Sequence, residues 1–195
     1  QPDTSHHGLA LSLNNLAAQL AGLERHEEAL EVVTEAITVY RRLAKQQPDT
    51  SHHGLALSLN NLAAQLAGLE RHEEAREAVT EAITVYRRLA KQQPDTFQDG
   101  LALSLSFLAL HLGILGQHEE AIEPITEAIT IQRQQAVQQP GTFQDELASS
   151  LHGLALHLGI LGRYEEAIEP ITEAITIRRQ QAVQQPGTHL ERLNE

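Results

Sequence analysis

The chain of 195 residues contains no cysteine, which excludes a disulfide framework, a thiolate zinc site and a cysteine nucleophile. Positive charge is also scarce, with 14 basic against 26 acidic residues and a formal net charge of −12. Such a chain repels phosphate backbones and anionic bilayers, so we expect neither nucleic acid nor a membrane as a partner. Glycine-rich phosphate loops, HExxH motifs and EF-hand loops are missing too. We therefore predict no cofactor and no metal, and the lack of cysteine is compatible with a cytoplasmic location.

One long uncharged run resembles a membrane span. The 17 residues 100–116 contain no Asp, Glu, Lys or Arg, which is near the lower length limit for a bilayer helix. The equivalent segment one repeat earlier carries Asn60, Asn61 and Gln65. A helix packed in a soluble array accounts for both versions, so we do not predict a span.

The chain is rich in internal repetition. The segment 23–29 recurs at 69–75, 115–121 and 161–167, always 46 residues apart, and each copy joins two apolar-periodic segments. This pattern predicts helix–turn–helix repeats over 1–46, 47–92, 93–138 and 139–184, forming one array over 1–184. Residues 185–195 begin a fifth repeat. The first two repeats differ at two positions and the last two at 8.

Each repeat should contain two amphipathic helices. The first helix of repeat one is expected over about residues 5–21, with a stripe of leucines that must be buried: Leu9, Leu13, Leu16, Leu20 and Leu23. The second helix, over about residues 26–45, should bury Ala29, Val33, Ala36, Tyr40 and Leu43. Thr96 with Asp99, and Thr142 with Asp145, match capping boxes and predict where first helices begin.

A family resemblance rests on apolar and small positions that recur together. They are Leu105, Leu108, Ala109, Leu112, Leu115-Gly116, Glu119-Glu120-Ala121 and Ala128. This pattern resembles the tetratricopeptide repeat, and the phrase Leu59 to Ala63 with Glu123-Pro124 and Glu169-Pro170 is similar to its kinesin-light-chain-like branch. The period of 46 departs from the usual 34. The resemblance implies an all-α fold, a right-handed α-solenoid of four helix–turn–helix repeats.

Catalytic and metal sites are poorly supported by the pattern. Ser5-His6-His7 with Asp3 recurs one repeat later, as expected for surface cap and turn residues rather than for one converging pocket. Adjacent histidines point in different directions from a helix, and no carboxylate recurs in register with them. We expect His111 and His157 to be partly buried imidazoles with satisfied hydrogen bonds rather than ligands. The resemblance implies that His26, His118 and Tyr164 pack at the turns.

The resemblance places a peptide-binding groove on the first-helix face opposite the leucine stripe. The candidate peptide-binding residues there are Asn14, Asn15, Ala18, Asn60, Asn61, Ala64, Ser106, Phe107, Leu110, His152 and Leu156. Asparagine amides both donate and accept hydrogen bonds and suit an extended backbone, although bonds between helices are the alternative for Asn15 and Asn61. No Lys or Arg lies on this face, so a clamp for a terminal carboxylate is disfavoured.

We therefore predict a non-catalytic protein–protein interaction scaffold that binds an extended peptide or partner segment. The alternative is a structural segment that self-assembles into homo-oligomers through the ends of the array, or the sensor part of a larger signalling protein. An enzyme ranks third.

Overall fold

A computed structural model describes residues 2–46, 48–139 and 143–184. The fold is all-α, as predicted, and the described residues contain no strand. The helices are α1 Pro2–Gly22, α2 His26–Ala44, α3 Pro48–Gly68, α4 His72–Gln92, α5 Pro94–Ile114, α6 His118–Gln138, α7 Gln144–Ile160 and α8 Tyr164–Gln184. The predicted fifth repeat, residues 185–195, lies outside the described residues.

The chain divides into two compact units, Gln1–Gly116 and Gln117–Glu195. In unit one, α1 packs on α2, α2 on α3, α3 on α4 and α4 on α5, and α1 also contacts α3. In unit two, α6 packs on α7 and α7 on α8. The boundary between the units falls inside the third predicted repeat, so the single array over 1–184 stays a prediction.

The turns between paired helices reverse direction through a left-handed residue. Glu24 and Glu70 have φ of 58° and 59°, and Gly116 and Gly162 have φ of 75°. An L-residue in this region costs about 1 kcal/mol or more, whereas glycine adopts it freely. Repeats three and four therefore carry the residue that suits the turn. Repeats one and two hold glutamate there against its preference.

The second-helix prediction is confirmed, because all five residues predicted for the buried face of α2 are buried. The leucine-stripe prediction is only partly right for repeat one, where Leu20 is buried and Leu13 half-buried but the other three leucines are exposed. Leu9 and Leu16 of α1 and Leu23, just after its end, are 44%, 48% and 65% exposed. In α3, which has the same sequence, Leu55 and Leu66 are buried at 6% and 4% exposed.

Neighbouring helices explain this difference. α3 lies between two second helices, α2 and α4, whereas α1 packs against only one second helix among the described residues, α2. The leucine face therefore needs the preceding repeat to cover it. A periodic stripe in sequence identifies the face that can be buried, not whether a partner lies there.

The capping-box prediction is also wrong at Thr96. α5 begins at Pro94 with Gln93 as its N-cap and without a side-chain cap bond, so Thr96 lies inside the helix. Proline starts a helix well, because its fixed φ suits the first turn and its missing N–H needs no partner there. α7 begins after Phe143, and Thr142 lies outside the described residues.

The uncharged run 100–116 lies mostly in α5. Among the described residues, α5 is the one helix long and apolar enough to cross a membrane by length and composition. Here Leu101, Leu105, Ala109 and Leu112 of α5 are buried, and the helix packs against α4. Core helices of soluble proteins pass the same test, so the finding is weak evidence for a span.

Candidate protein-interaction surface

Each first helix carries exposed side chains at equivalent positions. We define the first-helix face by Leu11, Asn15 and Ala18 of α1 together with their equivalents 46, 92 and 138 residues later. Of the predicted contact residues, those left exposed are Asn15, Ala18, Ala64, Leu110, His152 and Leu156, and those half-buried are Asn61, Ser106 and Phe107. At these positions peptide contact stays a prediction.

Asn14 and Asn60 do not lie on that face, which corrects their assignment as peptide-binding residues. Each is only 4% exposed. The Nδ2 of Asn14 donates to Ser58 Oγ at 2.8 Å, and the Nδ2 of Asn60 donates to Ser104 Oγ at 2.8 Å. These bonds join α1 to α3 and α3 to α5, and each contributes about 1 kcal/mol.

The serines extend this arrangement into the backbone. Ser58 Oγ lies 2.8 Å from the Gly54 carbonyl oxygen to which it donates, four residues earlier on α3. Asparagine, serine and carbonyl thus form a buried chain of hydrogen bonds between adjacent first helices. The amides of Asn14 and Asn60 therefore align the adjacent first helices. The amides of Asn15 and Asn61, one position further along, take no part in these bonds. The sequence alone did not distinguish the two adjacent asparagines, because a one-residue step on a helix turns a side chain by about 100°.

The first-helix face carries no charge although the chain is strongly acidic. Residues 5–22, 51–68, 100–116 and 147–162 contain no Asp, Glu, Lys or Arg. The formal charge of −12 is therefore carried by the second helices, the turns, the segments between repeats and the N-terminal ends of the first helices, where Asp3, Asp95 and Asp145 lie. A partner on this face meets amides and apolar side chains rather than ions.

The face becomes apolar along α5. Leu103, Leu110 and Ile114 are 44%, 54% and 52% exposed, and Phe107 lies half-buried between them. The sequence prediction missed Ile114. The spacing of 4, 3 and 4 residues from Leu103 to Ile114 is the helical signal that indicates one shared stripe. At the equivalent positions α1 and α3 carry Gly22 and Gly68, so only α5 has a bulky stripe in unit one.

Each unit also has a groove between consecutive second helices. In unit one it measures about 380 Å³ between α2 and α4, with Leu59, Leu62 and Leu66 of α3 on its floor. In unit two its counterpart measures about 360 Å³ between α6 and α8. Ion pairs cross both grooves, Arg41 to Glu81 at 2.7 Å in the first and Arg133 to Glu173 in the second. Both pairs are largely exposed, so each contributes at most about 1 kcal/mol.

Histidines join second helices to the first helices that follow them. His26 Nδ1 lies 3.0 Å from Gln65 Oε1, and His118 Nδ1 lies 3.1 Å from His157 Nδ1. The predicted burial of His111 and His157 is confirmed, at 3% and 6% exposed, but the predicted hydrogen-bond satisfaction is wrong at Nδ1 of His111, which has no partner among the described atoms. Burial lowers the pKa of both imidazoles, and the neighbouring histidine of each pair lowers it further.

Tyr164, at the same repeat position as His26 and His118, is 70% exposed, so its predicted packing is wrong. No helix that follows α8 among the described residues packs against it. The described residues hold no group of three or more His, Asp or Glu side chains placed to bind a metal ion.

Comparison with known families identifies the fold. Two family models, both described as tetratricopeptide repeat, match residues 8–88 and 147–180, which together exceed half of the chain. The chain belongs to the tetratricopeptide repeat family, whose fold class is the α-solenoid of helix–turn–helix repeats. A further model, described as anaphase-promoting complex subunit 5, matches residues 88–140. No curated protein matches the chain.

Solved structures support the same fold. The apo form of RapI is 13% identical with a TM-score of 0.74 over 89% of this chain and 57% of that chain. BtubC (BKLC) from P. vanneervenii is 19% identical with a TM-score of 0.74 over 89% and 64%. Nearly identical TPR-like repeats of a putative kinesin light chain from Podosopora anserina are 19% identical, with a TM-score of 0.57 over 93% and 99%. The chain thus spans less than two thirds of the first two proteins.

Proposed function

We propose that this chain is a non-catalytic scaffold that binds an extended segment of a partner protein on its first-helix face. The observation that carries the proposal is the exposed, uncharged character of this face in a chain with a formal charge of −12. Tetratricopeptide repeat arrays are generally interaction modules rather than enzymes, which supports the same role.

The chemistry of the face suggests how a segment is held in unit one. Asn15 and Asn61 each offer a donor and an acceptor, which suits the alternating N–H and C=O groups of an extended backbone. Phe107 and Leu110 offer apolar area for one side chain of the partner. Because no Lys or Arg lies on this face, the segment is uncharged rather than acidic. Within unit two, His152 and Leu156 of α7 are exposed as well and offer one polar and one apolar side chain.

The test compares two matched asparagine pairs. A partner is captured with the chain as bait, its bound segment is mapped, and the synthetic segment is titrated against variants. Asn15→Ala with Asn61→Ala should weaken binding roughly ten- to a hundredfold, since each lost amide costs about 1 kcal/mol. Thermal stability should hardly change. The control, Asn14→Ala with Asn60→Ala, should lower the melting temperature, because it breaks bonds between helices.

Unchanged affinity in the Asn15 and Asn61 variant would remove these amides from the functional account. A fall in melting temperature without loss of affinity would assign them to helix packing instead.

The second candidate function is self-assembly, and the leucine face of α1 favours it. This face is exposed in α1, whereas the identical sequence in α3 is covered by a second helix. A second copy of the chain would cover the face with one of its own second helices, giving a head-to-tail contact that need not close. Sedimentation should then show association that rises with concentration and is lost in Leu16→Glu. A monomer at all concentrations would reject this function.

A further inference from the structure

Three equivalent side-chain pairs connect successive repeats, and we call them the histidine junctions. In each, the histidine that opens a second helix meets the residue 39 positions further on, near the end of the following first helix. The first junction is His26 with Gln65, the second is His72 with His111, and the third is His118 with His157. Two junctions therefore contain a pair of titratable rings, and one contains a ring and a neutral amide.

The third junction disfavours a charge on its buried ring, His157. Its facing Nδ1 atoms are 3.1 Å apart, so one must carry hydrogen and the other must be bare. Where Nδ1–H of His118 is the donor, a proton added at Nδ1 of His157 gives both facing nitrogens a hydrogen and breaks the bond. Burial of His157 at 6% exposed also denies this charge its hydration.

The second junction also disfavours a charge on its buried ring, His111. The rings of His72 and His111 lie 5.8 Å apart, and the Nδ1 of each is buried without a hydrogen-bond partner among the described atoms. His111 is only 3% exposed. A charge on this ring would be desolvated and would face the ring of His72.

Charged side chains near the third junction are already engaged with one another. Arg163, which directly precedes α8, bonds Glu166 at 2.7 Å and Glu119 of α6 at 3.3 Å. The described α7 contains no charge after Glu146, and Glu120 and Glu165 are exposed to solvent.

Around the second junction, the carboxylates that open α4 are paired in the same way. Glu74 bonds Arg71 at 2.6 Å, and Glu73 bonds Arg76 at 2.9 Å. Glu70, in the turn that ends α3, is exposed, and α5 carries no charged group from Gly100 onwards. Neither junction has an uncommitted buried carboxylate to neutralise a charge on its buried ring.

We propose that the second and third histidine junctions form an acid-sensitive device that loosens the α4–α5 and α6–α7 contacts while the first junction stays closed. At the first junction Oε1 of Gln65 accepts a hydrogen bond from Nδ1–H of His26 whether or not that ring is protonated. The direction of the pH dependence follows from the difference in pKa between the folded and unfolded chain. Because the folded chain lowers the pKa of His111 and His157, the stabilisation is complete above the ordinary histidine range near pH 6.5 and is lost as pH falls through it.

The chain supplies its own control, because the first junction shows that glutamine fits the buried position. The test measures amide hydrogen exchange and thermal melting at about pH 7.5 and about pH 5 for three proteins, the wild type, His111→Gln with His157→Gln, and Gln65→His. Each imidazole that is protonated only in the open state increases the opening constant by up to about tenfold per pH unit.

The wild type should lose protection in α5 and α7 on acidification, after correction for intrinsic exchange. The double glutamine variant should lose much less, and Gln65→His should extend the loss to α3. Equal acid loss in the wild type and the double variant would overturn the proposal. A Gln65→His variant whose α3 keeps the same protection in acid as the wild type would also overturn it. This second comparison can be made even if the double glutamine variant does not fold.

Discussion

The same substitution should have opposite effects in two helices of identical sequence. Gly8 of α1 and Gly54 of α3 occupy the same place in the 21-residue sequence that the two helices share. A Cβ added to Gly8 meets nothing within 4 Å. A Cβ added to Gly54 would lie 2.3 Å from Cε1 and 2.4 Å from Cζ of the Tyr40 ring. The different surroundings of the two glycines therefore decide whether alanine stabilises or destabilises the fold.

The magnitudes follow from helix propensity and overpacking. Alanine is better than glycine inside a helix by about 0.5–1 kcal/mol, so Gly8→Ala should stabilise unit one by that amount. Gly54→Ala gains the same propensity but forces the Tyr40 ring away. This ring is 2% exposed and packs edge-on against His7 with centroids 5.7 Å apart. Overpacking of this kind costs about 1–3 kcal/mol, so the net effect should be destabilising.

Urea denaturation of the two single variants measures the difference, which should be about 1–3 kcal/mol in favour of Gly8→Ala. Tyr40→Ala together with Gly54→Ala provides the decisive control, since the clash is absent once the ring is removed. The double variant should be less destabilised than the sum of the two single changes. Equal midpoints for Gly8→Ala and Gly54→Ala, or strict additivity in the double variant, would refute the packing argument.

Two further predictions use equivalent or buried positions in unit one. Leu55→Ala should cost about 2–5 kcal/mol because Leu55 is buried, whereas Leu9→Ala at the equivalent exposed position should cost about 0.5 kcal/mol in the same urea experiment; similar losses would contradict the burial difference between α3 and α1. Burial raises the pKa of Tyr86 to about 12, so the folded state resists ionisation of this phenol. Stability should therefore be complete below pH 10 and fall by about 2–3 kcal/mol as pH rises towards 12. A phenolate absorbance titration should show a late step that Tyr86→Phe removes, and an unchanged titration in that variant would contradict the assignment.

The sequence predicted the helices well because periodicity and repetition reinforce each other. The predicted second helix over 26–45 is α2 His26–Ala44, and its five predicted buried residues are buried. The predicted first helix begins three residues late, because the capping pattern was given more weight than the proline that opens the helix.

The site was harder to predict, because a position on a helix differs from its neighbour by about 100° and burial depends on what packs there. The sequence placed Asn14 and Asn15 together, yet only Asn15 is exposed. The serine partners of the buried asparagines, 44 residues further on, could not be recognised without knowing how α1 and α3 are aligned. A comparison of repeats does contain one signal for contact between a second helix and the first helix that follows it, because glycine leaves room for a tyrosine ring. Glycine stands at positions 54 and 100, each 14 residues after a tyrosine, whereas glutamine at 132 is followed by Glu146.

The identity of α1 and α3 also bears on how the chain reaches its native state. Because α2 packs on both helices, each of its faces meets the same 21-residue sequence, and a second chain offers that sequence again. The two substitutions that separate repeats one and two, at positions 76 and 78, lie in α4 and do not distinguish α1 from α3. An exchanged helix from another molecule would thus make the native contacts. Only covalent connection, through the short links on either side of α2, raises the local concentration of the correct partner, so dilute conditions during folding favour the monomer over domain-swapped forms.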